Sequence, residues 1–110
     1  MERLNYTEAI EKILNSFCDM VVVREGTEVK IIRDRESGNY LVILAGWNDG
    51  SRVYGISVHI ELKNDKIWIH QDRTDTGIAQ ELVEFGVPKT DIVLAFKSLF
   101  TRKFTEYAVN

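Results

Sequence analysis

The sequence predicts an α+β domain: one amphipathic helix, then a four-stranded antiparallel β-meander, then one or two C-terminal helices, with the helices packed on one sheet face. Three observations predict it. Apolar residues recur at helical spacing near both ends of the chain, they alternate with period two in between, and short polar turns containing Asp49-Gly50 and Asn64-Asp65 join the alternating runs.

The first helix follows from Tyr6, Ile10, Ile13, Leu14 and Phe17, which form one stripe at steps of four, three, one and three. Asn5, with Glu8 three residues later, has the spacing of a reciprocal cap. The helix ends near Asp19, and MVVVR (20–24) reads as a short strand or an extended connection before Gly26. From Glu28 the period becomes two: EVKIIRD is a strand. YLVILAGW is apolar on both faces, as a covered central strand would be, and Asp49-Gly50 supplies the positive φ angles of a two-residue hairpin turn.

RVYGISVHIEL alternates next, with Tyr54, Ile56, Val58, Ile60 and Leu62 on one face, the expected seat of the helices, and Val53, Gly55, Ser57, His59 and Glu61 on the other. An Asn64-Asp65 turn would set Glu61 opposite Trp68 and His59 opposite His70 on the fourth strand. A second helix is read from Ile78, Ala79, Leu82, Val83 and Phe85, opened by Asp75 or Thr76 and closed by Gly86 and Pro88. DIVLAFKSLF is read as a shorter helix, since its leading acid and later lysine suit the helix dipole, and Phe104, Tyr107 and Ala108 in the tail suggest docking onto the body.

Size and composition bound the function. A chain of 110 residues fits a single domain over 1–110, and folding buries roughly 60–70% of the surface the unfolded chain exposes. The acid-bearing N-terminus is unlike a targeting peptide and no apolar run reaches the ~20 residues of a membrane span, so a cytoplasmic location without membrane contact is expected. Cys18, the one cysteine, reads as a small packing residue. A net charge of −3 disfavours a protein that holds nucleic acid by neutralising phosphates. Residues 86–110 nevertheless set Lys89, Lys97, Arg102 and Lys103 against Asp91 and Glu106, a local +2. Those four cations are the candidate nucleic-acid contacts.

Chemistry finds little purchase. His59 and His70, with Glu61 and Asp72 nearby, approach zinc-ligand types but fall short of the three or four converging ligands that zinc requires. Ser57 has only His59 beside it, and Asp72, Asp75 and Glu81 have a sufficient use at the positive end of the second helix. No catalytic, metal or cofactor residue is assigned. What remains is a sheet face expected to carry Val42, Leu44, Val53 and Trp68 among His59, Glu61 and His70, with Trp47 near its edge and Arg73 just beyond. Apolar patches rimmed by polar groups are typical of association sites, and those residues form the candidate interface.

The segments KIWI, GIAQELVEFGVPKTDIVLAF and RKFTEYAV, in that order, resemble the XisI family of fdxN element excision controlling factors across nearly the whole chain. Asn64-Asp65 stands where members commonly have Asp-Gly, and Leu99 where many have proline. The resemblance implies a small, non-enzymatic accessory protein of programmed DNA excision that acts with a XisH-like partner and needs no cofactor. Direct DNA contact would then be weak or indirect. Whether copies associate with one another is left open.

Overall fold

A computed structural model describes residues 5–21, 23–75 and 77–110. Its elements are α1 (Tyr6–Met20), β1 (Thr27–Asp34), β2 (Asn39–Asn48), β3 (Ser51–Lys63), β4 (Lys66–Asp72), α2 (Ile78–Phe85), a 3-10 turn (Lys89–Asp91), β5 (Ile92–Leu94) and the four-residue α3 (Leu99–Arg102). The five strands form one sheet in chain order. The first three pairings are antiparallel, whereas β5 runs parallel to β4.

That parallel strand corrects two expectations, a four-stranded antiparallel sheet and a helix over DIVLAFKSLF. Ile92, Val93 and Leu94 are all buried, and an aliphatic run led by two β-branched residues that needs cover on both faces suits a buried strand better than a one-sided helix. The chain reaches the β4 edge through α2, the crossover that parallel pairing requires. Beyond β5 the tail docks in part. Ala108 bridges Val93 and donates its amide to Ile92 O at 2.9 Å, and Tyr107 packs against the core, but Phe104 stays exposed.

Elsewhere the local signals hold. Asn5 caps α1 by accepting the Glu8 amide at 3.1 Å, while the Glu8 carboxylate pairs with Lys12 at 3.4 Å rather than returning to the cap. Both two-residue hairpin turns have the expected central residues at positive φ: Asp49 and Gly50 at 50° and 81°, Asn64 and Asp65 at 55° and 60°. Asp72, not Asp75, opens α2, its Oδ2 accepting the Ile78 amide at 2.7 Å. Thr76, the other expected cap, and Val22 of the MVVVR run lie outside the described residues, as does the chain before Asn5.

The two longer helices lie on one side of the sheet. Ile10, Ile13 and Leu14 of α1 and Ile78 and Leu82 of α2 pack against Tyr40, Val42, Val58, Ile60, Ile67 and Ile69. Each fully buried aliphatic side chain contributes roughly 1.5–3 kcal/mol. Among the described residues no helix is long and apolar enough to cross a membrane.

Candidate interaction face

Two bulges decide which side chains reach the open face. Opposite Val42 and Ile43, β3 supplies an extra residue, Ser57; opposite His59 and Ile60, β4 supplies His70. A bulge reverses the alternation beyond it. Val58 and Ile60 therefore face the helices, whereas Tyr54 and Ile56 emerge on the other side, 67% and 41% exposed. The expected helix-covered row from Tyr54 to Leu62 is thus split in two.

The same geometry corrects part of the candidate interface. Val42 is fully buried beneath the helices, and Leu44 and Val53 line a groove with Phe17 of α1, on the helix side. Arg73 belongs to that groove as well, exposed at its edge. His59, Glu61, Trp68 and His70 do share the open face. There the Glu61–Trp68 pair is as expected, but His59 faces Gln71 because His70 is the bulged residue.

From the register, the centre of this face is Leu41, Ile43 and Ala45 of β2 beside Tyr54 and Ile56 of β3, with Ile32 of β1 alongside. At the β2–β3 hairpin the Arg52 guanidinium carbon lies 5.5 Å from both the Trp47 and the Tyr54 ring centroids, and its Nη1 donates to Gly46 O. Each cation–ring contact is worth roughly 0.5–1 kcal/mol at an exposed site. Trp47 is 58% exposed even so. Toward the other end of β3, the His59 and His70 rings meet with centroids 4.8 Å apart and planes tilted by 38°. His59 Nε2 meets Asn39 Oδ1 and His70 Nε2 meets Glu61 Oε1, both at 2.9 Å. Burial, then the His70 ring, hold the His59 imidazole below the usual histidine range, with Glu61 opposing. Trp68 donates to Lys63 O, and the Lys63 ammonium sits 4.2 Å over its ring.

Reading the residues missed Arg52, Tyr54, Ile56 and Ile43 as members of this face. The one sequence signal was the small Gly55 and Ser57 interrupting the strand where the bulge forms.

The basic C-terminal candidates are largely committed within the chain. Arg102 donates to the carbonyls of Leu94, Ala95, Lys97 and Val109. Lys89 pairs with Glu106 at 2.5 Å, and Lys97 sits 5.5 Å from the Phe96 ring centroid. Lys103 is exposed.

A model of the XisI protein family matches residues 1–109. The chain belongs to the XisI family. Two solved XisI structures from Anabaena variabilis ATCC 29413 share the fold. One, described as a XisI-like protein, is 36% identical with a TM-score of 0.90; the other, described as fdxN element excision controlling factor XisI, is 31% identical with a TM-score of 0.83. Each alignment covers 96% of both chains. None of the curated proteins matches.

Proposed function

We propose that this XisI-family protein is a non-catalytic regulator of programmed site-specific DNA excision that binds a XisH-like partner protein through the open face of its sheet. The observation that carries the reading is the uncharged centre formed by Leu41, Ile43, Tyr54 and Ile56, with Arg52 between the rings of Trp47 and Tyr54 at one end. Trp, Tyr and Arg are the residue types most enriched among those that dominate interface energies, and a rim carrying both charge signs around an apolar centre is the usual anatomy of an interface. A controlling role agrees with the description of the 31% identical relative as an excision controlling factor.

The test is co-purification with a XisH-like protein, followed by assays of DNA cleavage and excision with and without this chain. Trp47→Ala and Tyr54→Ala are each expected to weaken the complex by more than about 1 kcal/mol. Unchanged binding by both variants would remove the open face from the account. The rival reading, direct DNA contact through Lys89, Lys97, Arg102 and Lys103, requires affinity that falls steeply with salt. It has less to stand on, since Arg102 and Lys89 already have partners within the chain.

A further inference from the structure

On the helix side, the end of α1, the part of β3 before its bulge and the loop after β4 line a groove of about 330 Å3. Phe17, Val21, Leu44, Val53 and Ile56 supply its apolar lining with Tyr54 at its border, and the exposed Arg73 and Asp75 stand at its edge. Gly55 also lines it, and a Cβ added there would meet nothing within 4 Å. A glycine inside a strand weakens it and often marks the close approach of a ligand or another chain. The volume lies at the small end of the roughly 300–1,000 Å3 typical of ligand pockets, room for ring-sized groups rather than an extended molecule.

The same chain carries such rings elsewhere. Phe100 and Phe104 are 71% and 77% exposed, with centroids 5.3 Å apart, edge to face. Four helical residues would not hold their shape alone. Here Ser98 Oγ accepts the Thr101 amide and the Arg102 guanidinium gathers four backbone carbonyls, so the turn that presents the two rings is already ordered. Docking such a preformed element costs little conformational entropy.

We propose that the Phe100–Phe104 pair of one copy docks into the Gly55 groove of a second copy, reciprocally about a two-fold axis. Charge favours this occupant. Residues 86–110 carry +2 of a chain whose total is −3, so residues 1–85 carry −5; the segment bearing the rings is the positive part of an otherwise acidic molecule. Asp75 at the groove edge is suited to receive Lys97 or Lys103, with Arg73 beside it carrying the opposite sign. An anionic lipid surface would attract those two lysines while repelling the rest of the chain. Trp47, Arg52 and Ile43 of the open face do not line this groove, whereas Tyr54 and Ile56 border both surfaces, so the two contacts meet along that stretch of β3.

Sedimentation velocity of the full chain over a concentration series tests it. The wild type is expected to dimerise, and Phe100→Asp or Gly55→Phe to raise the dimer dissociation constant roughly tenfold or more. Far-UV circular dichroism should be unchanged for both variants, and Trp47→Ala, on the open face and away from the groove, should dimerise like the wild type. Mixing the two defective variants should restore association, because one intact ring-in-groove contact forms between them. A wild type that stays monomeric at its solubility limit, variants that dimerise normally, or a mixture that stays monomeric would overturn the proposal. Binding of monomeric protein to phosphatidylserine vesicles, abolished by Phe100→Asp, would overturn it in favour of a lipid surface.

Discussion

The His59 and His70 rings lie 4.8 Å apart, their planes tilted by 38°, although the two are not cross-strand partners. The bulge at His70 leaves His59 paired with Gln71 yet keeps both imidazoles on the open face, each tied through Nε2 to a fixed acceptor, Asn39 or Glu61.

His59 makes stability depend on pH. The His59 pKa is lowered by folding, so the unfolded chain binds its proton more readily. Its contribution is therefore complete above the unfolded value of about 6.5 and is lost as pH falls toward the folded value. The urea midpoint should drop between pH 7.5 and 5.5, and His59→Gln should flatten that slope. Glu81, raised by burial, then by Asp72 and Glu84, acts in the opposite sense and nearer the carboxylate range, so it interferes little in this window. An equal slope in His59→Gln would assign the effect elsewhere.

Asp72 joins the end of β4 to the start of α2. Its Oδ1 accepts the Thr74 amide and hydroxyl at 2.9 and 2.6 Å, and its Oδ2 accepts the Ile78 amide. Asp72→Ala should cost about 1–2 kcal/mol, as the loss of a helix cap does, measured by urea unfolding. Asp75→Ala, at an exposed position, should cost less than about 0.5 kcal/mol.

Arg102 is predicted to be structural. Arg102→Ala should destabilise the chain by at least about 1.5–3 kcal/mol and speed proteolysis after residue 95, and Arg102→Lys should recover little, because a single ammonium cannot reproduce the planar fork. If Arg102 instead served DNA phosphates, its loss would leave the unfolding midpoint unchanged and reduce the salt dependence of DNA binding.

The two halves of β3 should respond oppositely to substitution. Ile60→Ala, in the buried half, should cost about 2–5 kcal/mol. Tyr54→Thr, in the exposed half, should change stability by roughly 0.5 kcal/mol or less while weakening capture of a XisH-like partner. Comparable losses of stability at both positions would mean that the open face is covered within the chain.

The first helix, the β1–β4 meander and α2 were legible in the sequence because each rests on local rules: a 3.6-residue stripe, a two-residue alternation, positive φ at Asp49-Gly50 and Asn64-Asp65. β5 was not, because Ile92, Val93 and Leu94 are apolar without a diagnostic period and become a strand only by adding to the β4 edge. Of the candidate interface, His59, Glu61, Trp68 and His70 lie on the open face as read, while Val42, Leu44 and Val53 changed sides.

The residues by themselves thus determined where helices and strands form, how the hairpins turn, and the family to which the chain belongs. The tertiary structure alone decided which side of the sheet each side chain serves. Alternation is a local property, but one extra residue in a strand reverses it from that point on, and whether Ser57 or His70 bulges depends on how neighbouring strands and the helices above them pack.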